Sequence, residues 1–199
     1  MMEKRAVVGV DLAGVPSRPT GICILKGLSA KTSLLYSDED ILGCIQQEKP
    51  ALVAVDAPLT LPPGRKSIQQ RDEHHYRPCD LELRRRSIPF FPITLGPMRK
   101  LTERGIRLRS WLEQVKVKIL EAYPGGAQDI LGLPRVKHDK VGLRKGLQKL
   151  GITGLKKHIS AHELDAVTAA YTAWLFLNGE AEVYGDSKTG TIIMPPSPQ

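Results

Sequence analysis

PALVAVDAP, residues 50–58, sets the fold class. Leu52, Val53, Ala54 and Val55 are apolar on both parities, so a strand here has no face to give to water. Strands of that kind are covered on both sides, and in an α/β protein helices do the covering. The run ends in a carboxylate, Asp56.

RAVVGVD (5–11) is another β-branched run that ends in an acid, Asp11. GVPSRPT supplies glycine and two prolines for a turn into GICIL (21–25), a hairpin partner, and KTSLLYS (31–37) reads as a third strand. SDEDILGCIQQEK opens with Ser37 as N-cap and acids in the first turn, which predicts a helix. PALVAVDAP is then the fourth strand. Residues 59–100 are rich in Pro and Arg and sustain neither period, so only short helical turns are predicted at SIQQRDEHHY and CDLELRRRS. Leu101, Leu108, Trp111, Leu112 and Val115 recur at helical spacing, and VKVKILEAYP alternates like a strand that stops at Glu121. A basic, helix-prone stretch (135–158) precedes the long Ala-rich helix SAHELDAVTAAYTAW (160–174). The tail EVYGDSKTGTIIMPPSPQ reads as a small hairpin and a frayed Pro-rich end. This order predicts a single mixed α/β domain over 1–199, its central sheet flanked by helices, with a basic insertion at 59–110 after the fourth strand.

Hydrophobic content of 41% and charged content of 25% are those of an ordinary globular chain. No apolar run approaches the roughly 18–20 residues of a membrane span, and MMEKRAVVGVDL lacks the plan of a signal peptide. Cys23, Cys44 and Cys79 form no CxxC and leave an odd number, which suits a reducing compartment. A cytoplasmic location is expected.

Asp11, Asp56 and Glu121 share one feature: each directly follows an apolar strand. In open α/β sheets ligand and catalytic groups gather at the carboxyl ends of strands, so these three acids can converge on one point. Singly, each also fits a plainer role, since Asp begins turns. The 160–174 helix adds two ionisable groups. Ser160 and Glu163 form an S-x-x-E capping box, which gives Glu163 a structural role. At about 100° per residue, His162 and Asp165 share a polar stripe with Thr168 and Thr172, while Ala166, Ala169, Ala170 and Ala173 permit close packing on a sheet. Packed there, the helix aims His162 and Asp165 at the strand-end acids.

Clustered carboxylates repel one another, and a hard divalent cation resolves the conflict. Oxygen ligands with at most one imidazole suit Mg²⁺ or Mn²⁺ better than zinc. Asp11, Asp56 and Asp165 are the candidate metal ligands, with Glu121 assisting and His162 ligating or orienting water. Two such ions roughly 3.5–4 Å apart can activate water and stabilise the leaving oxygen of a phosphodiester.

Net charge is +8, and it is clustered. Residues 62–110 carry twelve Lys and Arg against five acids, and 135–158 carry eight against one. Such blocks are the footprint of a polyanionic partner, nucleic acid above all, or of two solvated surfaces. Arg77, Arg84, Arg85 and Arg86 in RPCDLELRRRS are candidate phosphate ligands, or an exposed run closing a lid. His74, His75 and Cys79 form only a weak metal pattern.

GVDLAG, VAVDAPL, RPCDLELRRRSIPFFP, EAYPGG and HELDAVTAAYTAW together resemble an uncharacterised family of predicted nucleases with the RNase H fold, over about residues 5 to 185. HELDA also resembles the H/D-x-x-D-A helix motif of RuvC-type Holliday-junction resolvases. The resemblance implies a mixed five-stranded sheet flanked by helices, with the first three strands antiparallel, and Mg²⁺- or Mn²⁺-dependent phosphodiester hydrolysis. Carried over by position, Asp11 is the first-strand acid, Asp56 the fourth-strand acid and Asp165 the helix acid. His162 stands where resolvases place an acid or a histidine, and Glu121 matches the family's own strand-end acid. The insertion at 59–110 is not a resolvase element, so junction specificity is not implied.

A metal-dependent nuclease is the first reading. A nucleic-acid-binding adaptor on the same scaffold and a small-molecule phosphohydrolase are the alternatives. The oligomeric state stays open, a homodimer included. GVDLAG also resembles the first phosphate loop of sugar kinases and actin-like ATPases, but those need two such domains, and 199 residues without a Walker-type GK[ST] do not supply them.

Overall fold

The run that ends at Asp11 forms β1 (Val7–Asp11) and pairs antiparallel with β2 (Thr20–Lys26), which pairs antiparallel with β3 (Ser29–Leu35). Ser37 caps α1 (Asp38–Glu48), accepting from the Asp40 amide as its sequence position predicts. PALVAVDAP supplies β4 (Leu52–Asp56), parallel to β1 and in register with it, so that Asp11 and Asp56 are cross-strand partners. The computed structural model describes residues 6–197; Arg5 of the first predicted strand and Pro198 and Gln199 of the predicted tail lie outside the described residues.

The helical turn expected at CDLELRRRS is α2 (Pro78–Arg85), SIQQRDEHHY forms no helix, and the helical spacing from Leu101 belongs to α3 (Gly96–Gln114). α3 begins five residues before the predicted periodic run, because its N-cap is Leu95 and no side chain caps it. The usual Ser, Thr, Asp or Asn start signal is absent there. Next come β5 (Ile119–Ala122), α4 (Pro124–Ile130), α5 (Lys140–Lys149) and α6 (Ala161–Leu177). α6 carries the predicted Ser160–Glu163 capping box.

The C-terminal hairpin, β6 (Glu182–Asp186) and β7 (Gly190–Met194), does not stand alone. β7 docks parallel to β5, giving a seven-stranded sheet in the order β3-β2-β1-β4-β5-β7-β6 instead of the five strands expected. The apolar Ile192, Ile193 and Met194 bury themselves by covering an edge that β5 would otherwise present to solvent. Strand order and direction through β5, antiparallel for the first three and parallel from β1 to β4 to β5, are those of an RNase H-like sheet.

Alternate residues of β4 serve the two faces. Leu52 and Ala54 pack with α5 and α6, while Val53 and Val55 pack with α1 and α3. Two glycines let α6 lie directly on the sheet. A Cβ on Gly9 would overlap the carbonyl oxygen of Ala166, and one on Gly21 would overlap that of His162. The alanines of α6 complete this contact, since Ala166, Ala169, Ala170 and Ala173 are fully buried. Among the described residues, no helix is long and apolar enough to cross a membrane.

Candidate active site

Strand parity decides which acids meet. Asp11 follows Val7 and Gly9 on its face of β1, and Asp56 follows Leu52 and Ala54 on its face of β4. Both therefore emerge on the side covered by α6, from adjacent strands about 4.8 Å apart. The close approach of α6 brings its first two turns over them. His162 Nδ1 lies 2.6 Å from Asp11 Oδ2. One turn on, Asp165 accepts a 2.7 Å hydrogen bond from Gln128 Nε2 of α4.

Asp56 sits between these partnered acids. Among the described residues no donor is hydrogen-bonded to its carboxylate. Burial, then the charges of Asp11, Asp165 and Glu121, push its pKa well above the usual carboxylate range. Burial also pushes Asp165 up to about 7, and Asp11 adds to the rise, while Gln128, His162 and Arg135 oppose it. The hydrogen bond that His162 donates to Asp11 raises its pKa above the ordinary 6.5 despite partial burial. Asp11, Asp56, His162 and Asp165 thus form one interacting group. Among the described residues, however, no three His, Cys, Asp or Glu side chains stand as a set able to hold a metal ion.

Glu121 belongs to a different arrangement. It is the register partner of Val55, not of Asp56, and shares its face with Ile119 on the α3 side. There Arg77 grips it bidentately at 2.6 and 2.8 Å, and the Leu59 amide donates to it at 3.1 Å. Burial raises its pKa and Arg77 draws it back. Glu121, expected to assist the aspartates, thus has its carboxylate held by Arg77 and the Leu59 amide, while its charge still acts on Asp56.

Arg77, a candidate phosphate ligand, is engaged in the same network. It is 1% exposed, and its five N–H donors reach Glu121, Asp80 and Thr60. The remaining arginines of the run diverge. Arg84 lies over the Tyr76 ring at 4.1 Å, while Arg86 pairs with Glu182 at 3.0 Å and covers Tyr184. Arg85 is exposed with no ion-pair partner among the described residues. The weak His74–His75–Cys79 pattern does not assemble: Cys79 is buried, its thiol pushed up to about 12 by burial, and His75 Nδ1 meets the Thr94 hydroxyl.

Sequence reasoning missed Gln128 and Arg135. Gln128 is buried and bonds both Asp165 and Thr168, fixing the second acid of the helix. It lies in a short helix, PGGAQDI, whose two glycines disguise it as a loop. Arg135 is bound by Asp129 and stands beside Tyr123. Both residues line a cleft of about 390 Å³ that reaches Asp56 and Asp165.

A family model described as "Protein of unknown function (DUF429)" matches residues 9–189. The chain belongs to this DUF429 family. Among solved structures, the DUF429 chain is similar to Thermus thermophilus RuvC at 16% identity and TM-score 0.46, covering 87% of this chain and 96% of that one. It is also similar to T. thermophilus RuvC in complex with Holliday junction substrate, at 15% identity and TM-score 0.49, covering 88% and 96%. No curated protein matches the chain.

Proposed function

We propose that this DUF429 member is a divalent-metal-dependent nuclease of the cytoplasm, with Asp11, Asp56 and Asp165 as metal ligands. The carrying observation is Asp56: a carboxylate flanked by two others, without a hydrogen-bond donor, and with its pKa raised by burial and then by their charge. A hard cation would relieve that repulsion, and an all-carboxylate donor set fits Mg²⁺ or Mn²⁺. When bound, such an ion supplies a Lewis acid for the phosphoryl oxygen and an activated water.

The chain's own groups have distinct tasks. Asp11 accepts from His162 through Oδ2, which leaves Oδ1 free to ligate. If Nδ1–H is the donor, neutral His162 keeps an Nε2 lone pair that can orient water or accept its proton. Gln128 holds Asp165 in the ligating rotamer from behind. Arg77 and Glu121 brace the end of β5 through the 59–60 loop and α2, a positioning role. Arg84, Arg85 and the basic surface of α5 would track the flanking backbone.

One observation favours the adaptor reading: no ready set of three ligands stands among the described residues. The two readings separate in a Mn²⁺ titration followed by thermal melting, on wild type and Asp56→Asn. The nuclease reading expects saturable stabilisation lost in the variant, and Mn²⁺-dependent phosphodiester cleavage lost with it. Salt-sensitive nucleic-acid binding with neither metal stabilisation nor cleavage would establish the adaptor.

A further inference from the structure

The cleft beside Asp56 and Asp165 has walls unlike its floor. The floor is ionic, made by those two acids and the buried Arg77–Glu121–Asp80 network. The walls are largely apolar, from Phe90, Ile93, Met98, Leu101 and Tyr123. Phe91 lines it too, 68% exposed and the most exposed of the large hydrophobic side chains described. Phe90 is held edge-on by Tyr76 at 6.0 Å, and the Tyr123 hydroxyl donates to the Pro89 carbonyl at 2.6 Å, so the aromatic rim is braced. Lys137 lines the same cleft and is exposed, with no ion-pair partner among the described residues. It belongs to the basic run that opens at Arg135 and continues through Lys140, Arg144 and Lys145.

Such a cleft suits a ligand with a flat, largely apolar body and an anionic group. At about 390 Å³ it is near the small end of ligand sites, roomy enough for one ring system and far too small for a duplex. Resting on the nuclease reading of the adjoining acids, we infer that the cleft takes one unpaired base of a nucleic-acid strand. The base stacks on Phe91, and the strand leaves past Lys137 with its phosphates on the basic side of the cleft that Arg135 and Lys137 line. In a duplex the bases are paired and stacked away from such a pocket, so single-stranded or locally unpaired nucleic acid is the substrate class. Stacking accepts any base, so sequence preference is weak.

The test is a binding measurement in EDTA, so that no strand is cut. A short single-stranded DNA carrying 2-aminopurine is titrated with wild type and Phe91→Ala, beside the same sequence as a blunt duplex. Because Phe91 is exposed, the variant keeps the wild-type melting temperature, which is checked first. The inference expects the single strand to bind at least about tenfold more tightly than the duplex. It expects Phe91→Ala to lose about tenfold on the single strand alone, with 2-aminopurine emission quenched by wild type and restored in the variant. Duplex preference, or an unaltered single-strand affinity in Phe91→Ala, overturns it. So does a free nucleoside monophosphate that competes as well as the strand, which would make the cleft a small-molecule site. In a parallel assay with Mn²⁺, cleavage of duplex with no effect of Phe91→Ala would remove the base cleft and leave the nuclease. Strand binding through Phe91 without cleavage of any nucleic acid would remove the nuclease and leave the cleft.

Discussion

Asp11 and His162, 151 residues apart in the chain, meet at 2.6 Å between Oδ2 and Nδ1. The meeting depends on backbone contact, because Gly21 of β2 lies directly beneath the His162 carbonyl. The hydrogen bond to Asp11 raises the His162 pKa. A histidine raised in the folded state stabilises it below the unfolded pKa, and that gain is lost as pH rises through the folded value. In an NMR titration the His162 ring should therefore titrate above 6.5, and Asp11→Asn should bring it down. Saturating Mg²⁺, which competes for Asp11, should lower it too. A His162 titration unmoved by Asp11→Asn would mean the pair does not persist in solution.

Asp165 gives the opposite pH signature. Its folded pKa of about 7 exceeds the ordinary 3.8. Between those values the folded state keeps a proton that the unfolded chain has released, so stability falls as pH rises through that window. Asp165→Asn removes the fall, and its amide oxygen still accepts from Gln128. The variant should be more stable than wild type at pH 8 by on the order of 2 kcal/mol, a melting shift of about 5 °C, with no gain at pH 4. Mn²⁺ affinity of the wild type should climb through the same window, since the ligand must deprotonate. Lower stability of Asp165→Asn at pH 8 would mean that Gln128, not charge repulsion, dominates at this position.

The buried Arg77 network should behave as structure before chemistry. Arg77→Ala strands Glu121 and Asp80 without their cation, and breaking a buried pair in this way costs about 3–5 kcal/mol. Glu121→Gln should cost clearly less, because the amide oxygen can still accept from Arg77 and the Leu59 amide. Urea unfolding measures both. If Glu121→Gln abolished turnover while leaving stability and metal-induced melting shifts intact, Glu121 would have a direct part in the reaction.

How much of this was legible depended on whether the signal is local. Asp11 and Asp56 could be read because each ends a run apolar on both parities, and the Ser160–Glu163 box because its spacing is fixed. Glu121 looked like a third such acid, but a four-residue strand buried on both faces does not reveal its parity, and the sheet register places it opposite Val55. Arg77 looked like a member of a surface arginine run. Only folding sets it between two carboxylates 3 and 44 residues away. The docking of β7 on β5 is likewise a long-range event, and nothing within TGTIIM states which edge it will cover.

The contact between α6 and the sheet links fold to chemistry, and it can be tested at the two glycines. A methyl at Gly9 would overlap the Ala166 carbonyl and crowd Ala170, and a methyl at Gly21 would overlap the His162 carbonyl. In each case the obstructing atom is backbone, which cannot rotate away. Overpacking in a well-packed core costs about 1–3 kcal/mol, so both Gly9→Ala and Gly21→Ala should lower the urea midpoint. Their effects on the site should differ. Gly9 lies under the middle of α6, whereas Gly21 lies under its first turn, where a lift draws His162 from Asp11 and Asp165 from Asp56. Gly21→Ala should therefore reduce Mn²⁺-induced stabilisation and lower the His162 pKa more than Gly9→Ala does at equal loss of stability. Equal effects on both readouts would mean that α6 moves as a rigid rod, and that the site senses its mean height above the sheet rather than the seating of its N-terminus.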